Sequence, residues 1–234
     1  MKRRVLVGAT VTLVVVVVLA VGGYYLINSR TCQLAGRIVD RVDTDVKVVA
    51  LTLDDGPTTK APEVLRVLAD AEVPATFYLN GRDLAAHPEF GAAIAAAGHE
   101  IGNHTYTHRR MVFVTPGTVA DEVGRTDAAI RTTGYQGPIT FRPPYGKKLW
   151  TLPKYLSDHD TTTVMWDVEP DSDPSASAEQ IVAQTVREVR PGSIILLHVM
   201  FGNRANSLAA IPGIVAELKA DGYRFVRISE LLRE

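Results

Sequence analysis

A single cysteine, Cys32, stands in 234 residues, so no intrachain disulfide is possible and the fold must hold through burial alone. Neither sign of charge dominates. Lys and Arg number 25 against 26 Asp and Glu, a formal net charge of −1, which leaves no global field to gather nucleic acid or another polyanion. No tandem repeat is present, and the only low-complexity tract is a valine-rich N-terminal stretch. With 46% hydrophobic and 22% charged residues, the composition is neither collagen-like nor disordered. The length fits one ordinary domain with an appendage.

Charge is also missing locally. After Lys2, Arg3 and Arg4 comes VLVGATVTLVVVVVLAVGGYYLI, residues 5–27, without one ionisable acid or base other than its tyrosines. As a helix it is long enough to cross a hydrocarbon layer of about 30 Å. Residues 1–4 then read as a cytoplasmic flank, 5–27 as an uncleaved anchor, and everything after Ile27 as extracytoplasmic. A cleaved signal peptide is the competing reading, but the run exceeds the roughly 7 to 15 residues of a signal h-region and lacks a clean small-x-small site after it. Ser29, Arg30 and Thr31 do not form the apolar-then-small run of a lipid-modified cysteine, so Cys32 reads as a free thiol near the membrane. Residues 28–45 read as a polar tether and 46–234 as the exported domain.

From residue 46 onward, apolar runs alternate with helical spacing. VKVVALTL, ATFYLN, PITF, TTTVMWDV, SIILLHV and YRFVRI read as strands. PEVLRVLADAE, LAAHPEFGAAIAAAG, GTVADEVGRTDAAIRTTG, SAEQIVAQTVREV and SLAAIPGIVAELKADG read as helices. Strand and helix in alternation imply a parallel sheet covered by helices, open or closed into a barrel. In such folds sites gather on the loops after the carboxyl ends of the strands.

Five of those loops carry ionisable residues. TLDDGPTT ends the first strand in two adjacent carboxylates, Asp54 and Asp55. Alone it reads as turn chemistry, but the Gly56-Pro57 turn can break strand alternation so that both carboxylates approach one pocket. GHEIGNHTYTH carries His104 and His108, four residues apart. On one helical turn that spacing puts both imidazoles on one face, suited to a metal, although an isolated pair is more often two surface histidines. No Glu lies between them, so this is not the zinc-protease motif. FRPPYG brings Arg142, MWDVEPDSD brings Asp167, Glu169 and Asp171, and ILLHVM brings His198. A surface cation, a solvated acidic loop and a core histidine would explain each one singly; chance explains all five together poorly.

TLDDGP, HTYTH, RPPYG and LLH, in this order, resemble the polysaccharide deacetylases of carbohydrate esterase family four, the NodB-homology domain. The likeness is close at GHEIGNHTYTH and PATFYLNG and spans about residues 46 to 231. It implies an irregular, incomplete (β/α) barrel. It further implies an Asp55-His104-His108 metal triad, Asp54 as catalytic base, His198 as general acid, Arg142 holding Asp54, and a backbone N–H near Tyr145 stabilising the oxyanion. Zinc suits such donors, and cobalt or another divalent ion would fit them. The implied substrate is an N-acetylated glycan outside the cytoplasm, peptidoglycan or a chitin-like oligomer. Alternatives are a wall-binding module with a decayed site, or a metal-independent hydrolase of non-sugar amides, which would be expected to lack the His pair. One motif departs from the family. Many members have Asp-x-x-Asp-Trp where this chain reads WDVEPDSDP, so either Asp167 or Glu169 could tune His198, and one wall of the substrate groove is left undefined.

Overall fold

The computed structural model describes residues 2–202 and 204–234, with the side chains of residues 2–9 and 11 outside the description. Among the described residues the strands in chain order are β1 (Ile38–Val39), β2 (Val48–Asp54), β3 (Thr76–Leu79), β4 (Glu100–Asn103), β5 (Thr163–Val164), β6 (Ile194–Leu197) and β7 (Arg224–Phe225). The helices are α1 (Lys2–Asn28), α2 (Ala61–Asp70), α3 (Gly81–Ala86), α4 (Pro88–Ala96), α5 (Pro116–Thr132), α6 (Thr151–Asp158), α7 (Ala178–Glu188), α8 (Ala205–Ala220) and α9 (Ile228–Leu231).

β2 is buried at every position, as expected of a parallel strand covered on both faces. It pairs in parallel with β3 on one side and β6 on the other, and β3 pairs onward with β4. Strand alternation sorts its side chains. Val49, Leu51 and Leu53 join an outer core with Val64, Leu68, Ile211, Ile214 and Leu218 of α2 and α8. Val48 and Ala50 face inward with Tyr78, Val164, Trp166 and Leu196. The remaining circuit is closed by single parallel bridges. Asn103 pairs with Phe141, Phe141 with Thr163, and Val168 with Ile195, so the segment from 163 to 168 links β4's side of the barrel back to β6. The result is the irregular (β/α) barrel implied by the resemblance.

Several elements differ from expectation. PITF contributes only Phe141 to the sheet, and the last expected strand shrinks to β7 before α9. The helix expected over 84–98 is broken at His87, where Pro88 starts a fresh N-terminus. The 28–45 segment is not a free tether: β1 pairs with β5, Arg41 bridges to Ser193, and Val42 N donates to Gly192 O at 3.0 Å. Its polar composition hid a few apolar residues, Ile38 and Val39 among them, that pack on the inner core. The expected anchor falls within α1, but among the described residues no helix is long and apolar enough to cross a membrane. Residues 5–9 and 11 of that anchor lie outside the described side chains.

Candidate active site

Inward alternation along β2 places Thr52 and Asp54 on one face, and one buried guanidinium reads both. Arg142 Nη1 donates to Asp54 Oδ1 and Thr52 Oγ1, each at 2.7 Å. Its Nε and Nη2 donate to the carbonyls of Val164 and Met165 at 3.2 and 3.0 Å. The guanidinium lies 4.2 Å from the centre of the Tyr78 ring. A buried charge is tolerated only when paired and hydrogen-bonded, and Arg142 meets both conditions. Gly102 lets Tyr78 take this position, because a Cβ there would come within 2.4 Å of the ring.

The next residue breaks the alternation as the sequence suggested. Asp55 has φ 74° and Gly56 φ 83°, and Asp55 N donates to Tyr78 O at 3.1 Å. Both aspartates therefore border the same cleft.

The two histidines follow β4, in a loop rather than on the helical turn their spacing suggested. Thr105 and His108 adopt φ 67° and 58°, and it is this left-handed loop that brings the rings together, with centroids 5.0 Å apart. The loop is held from α5. Both Glu122 oxygens are used: one accepts from the backbone N–H groups of Tyr106 and Thr107 at 2.8 Å each, the other from Thr107 Oγ1 at 2.6 Å. His104 Nδ1 lies 2.8 Å from the Arg142 carbonyl, a contact that requires its proton and leaves Nε2 as the free lone pair. Burial pushes the His104 pKa down to about 3, favouring the neutral ligand form. His108 Nε2 and His104 Nε2 lie 3.2 and 3.9 Å from Asp55 Oδ1. One donor atom from each of Asp55, His104 and His108 falls within 4.8 Å of the others. Two imidazole nitrogens and a carboxylate oxygen, with the second nitrogen of His104 tied to a carbonyl, fit a divalent cation such as zinc.

Across the cleft His198 follows β6. Its partner is Asp171, not Asp167 or Glu169. Asp171 Oδ2 accepts from His198 N at 2.7 Å and Ser207 Oγ at 2.8 Å, while Oδ1 lies 3.3 Å from His198 Nδ1. Burial by itself would lower the His198 pKa, but the Asp171 hydrogen bond and the charges of Asp54, Asp171 and Asp55 outweigh it and raise the group to about 9. Asp167 instead accepts from Ser193 Oγ and Ile194 N, both at 2.8 Å, fastening the 163–168 segment to the start of β6. Glu169 accepts from Trp166 Nε1 at 2.8 Å. The sequence left Asp167 or Glu169 to tune His198, but Asp167 is spent on Ser193 and Ile194 and Glu169 on Trp166, and the turn that follows carries Asp171 to the histidine. Tyr145, at φ 58°, sets its ring 4.8 Å from that of His108 on the rim of the cleft. Asp54, Asp55, His104, His108, Tyr145 and His198 thus share one cleft of about 440 Å³. Glu122 is the supporting position that motif reading missed, because a buried glutamate inside α5 leaves no motif to notice; Asp171 was read as an ionisable residue of its loop, but not as the partner of His198.

A family model described as polysaccharide deacetylase matches residues 41–164. A peptidoglycan-N-acetylglucosamine deacetylase of Bacillus cereus is 34% identical over 211 residues, spanning 87% of this chain and 97% of its own. The structure of a peptidoglycan N-acetylglucosamine deacetylase in complex with 4-naphthalen-1-yl-N-oxidanyl-benzamide aligns with a TM-score of 0.78 at 31% identity, covering 82% of this chain and 91% of that one. A mutant of a carbohydrate esterase family four pseudoenzyme of Bacillus anthracis, with restored enzymatic activity, also reaches a TM-score of 0.78, at 30% identity, covering 85% and 72%.

Proposed function

The chain belongs to the polysaccharide deacetylase family, and from that premise we propose that it is a metal-dependent hydrolase removing N-acetyl groups from N-acetylglucosamine residues of an extracytoplasmic glycan, peptidoglycan first. One observation carries the reading: a carboxylate fixed by a buried cation and an imidazole held by a buried carboxylate border one cleft with a three-donor metal set. Asp55, His104 and His108 would hold a divalent ion, zinc in our reading and cobalt as the substitute, which would supply Lewis acidity toward the acetamide carbonyl and water. Asp54 accepts the proton of the attacking water. Arg142 holds that carboxylate in place, a positioning role. A backbone N–H near Tyr145 stabilises the negative charge that develops on the carbonyl oxygen. His198, protonated, passes its proton to the sugar nitrogen as the C–N bond breaks, releasing acetate and the free amine.

The test is acetate release by the purified full chain from peptidoglycan and from chitin oligomers, with and without zinc. Release from peptidoglycan is expected. Release from chitin oligomers alone would reassign the substrate. Binding to wall glycan with no acetate from any glycan would favour the binding-module reading, against which stands the presence of every group just named.

We place the domain outside the cytoplasm. The support is the MKRR flank before an uncharged run and the substrate in the Bacillus cereus relative's name. Protease added to intact cells without their wall should digest the domain. Its survival there would overturn the placement, and recovery of a shorter soluble form would show a cleaved leader.

A further inference from the structure

The wall of the groove left undefined by the missing tryptophan is built from the other end of the chain. Arg30, two residues past α1, lines the cleft beside the catalytic groups. Its guanidinium lies 4.5 Å from the centre of the Trp166 ring, and Trp166 is only 5% exposed. Its Nη2 donates to Glu169 Oε2 at 2.6 Å, the same oxygen that accepts from Trp166 Nε1. The placement is built rather than incidental. Lys147 Nζ donates to Asn28 Oδ1 and Lys148 Nζ to Ser29 O, and Lys148 is almost wholly buried. The two lysines leave the RPPYG turn and grip the two residues that precede Arg30.

Stacked on the indole and tied at one nitrogen, the guanidinium is oriented before any ligand arrives. Among the described residues its Nε and Nη1 have no partner, and its side chain is 42% exposed. Each of these nitrogens can give a charge-assisted N–H to an anionic acceptor, a stronger contact than the same N–H makes with a hydroxyl. Glu169 offsets part of the charge, but Trp166 Nε1 holds the same carboxylate oxygen, so Glu169 meets the guanidinium at Nη2 alone.

We propose that Arg30 is a specificity-determining residue that binds an acidic group on the sugar next to the one being deacetylated, so that the cleft prefers glycan strands whose lactyl carboxylates are free of stem peptide over a neutral glycan. This rests on the deacetylase reading and deepens it. The pairing of Arg30 with Glu169 lies at the cleft wall, and part of its cationic charge is already offset, so the gain is that of a partly exposed charge-assisted contact.

The test separates recognition from chemistry by using the full chain with Asp54→Asn. Calorimetry would compare a tetrasaccharide of alternating N-acetylglucosamine and N-acetylmuramic acid, lactyl carboxylates free, with neutral chitotetraose. The acidic ligand is expected to bind about fivefold tighter. Arg30→Met, which keeps the apolar cover on Trp166, should bring the ratio to about one, and Arg30→Lys should keep part of it. If Arg30→Met does not fold, Arg30→Gln takes its place with the same expectation. No preference in the parent protein, or a ratio unchanged by Arg30→Met or its stand-in, would overturn the proposal, as would an equal weakening for both ligands, which marks a structural role. Failure of the deacetylase reading is seen elsewhere, in acetate release by the wild-type chain, and leaves the binding ratio readable.

Discussion

Two ion pairs flank the metal donors, and they are built in opposite ways. Arg142 and Asp54 are sealed, with 0% and 3% of their side chains exposed, and the cation spends its other donors on a hydroxyl and two carbonyls. His198 and Asp171 sit nearer solvent, the imidazole 23% exposed and its partner 1%. In the first pair the permanent charge belongs to the arginine and the working group is the carboxylate; in the second the carboxylate is the fixed partner and the titrating imidazole does the work. A base that must stay ionised is given a cation that cannot lose its proton. An acid that must recover a proton each turnover is given a carboxylate and a route to water.

The largest effects should come from the sealed pair. Asp54→Asn keeps size and polarity but cannot accept a proton, so acetate release should fall about 10³-fold with metal content retained. Asp55→Asn weakens a ligand, and its activity should recover in part as zinc is raised. Equal rescue of both by metal, measured by acetate release across a zinc titration, would erase the distinction between base and ligand.

Next comes the open pair. Because the folded His198 pKa is raised to about 9, its proton is lost as pH rises through that value, and kcat/KM should fall on the alkaline side there. Asp171→Asn removes the support, so the alkaline limb should move to lower pH and kcat drop about 10²-fold at pH 8. Asp167→Asn should leave the limb in place and cost about 1 kcal/mol of stability through its lost contacts to Ser193 and Ile194. A limb shifted by Asp167→Asn and not by Asp171→Asn would reverse the assignment.

The smallest effect tests the loop between the pairs. Glu122→Gln keeps an acceptor but loses the charge that gathers two N–H groups and a hydroxyl. Zinc affinity should weaken about tenfold, in the range seen for outer supports of a metal site, with near-normal kcat once metal saturates. Unchanged affinity by competition with a chelator would show that the loop holds itself.

Much of this was legible in the chain because the sheet is regular where it matters. The alternation of side chains along β2 and its break after the strand placed both aspartates, and the order of motifs placed Arg142 and His198. The errors fall where periodicity ends. His104 and His108 were paired correctly but for a helical reason, since left-handed residues in a loop leave no periodic trace. Asp171 was passed over for Asp167 or Glu169 because the turn after Val168 that carries it back to His198 leaves no periodic trace. Arg30 was unreadable as a cleft residue, because no local pattern links position 30 to Glu169, 139 residues away.

Gly102 has no functional group and does not line the cleft, yet the active centre leans on its single hydrogen. A methyl at 102 would have to push the Tyr78 ring, and the Tyr78 ring is the floor on which the Arg142 guanidinium lies. The disturbance would arrive at Asp54 two contacts later as a tilted cation and a misaimed carboxylate. Sensitivity to mutation and proximity to substrate are therefore separate maps of this protein, and a survey that ranked positions by distance from the sugar would place near the bottom a site where one carbon atom is enough to disarm the base.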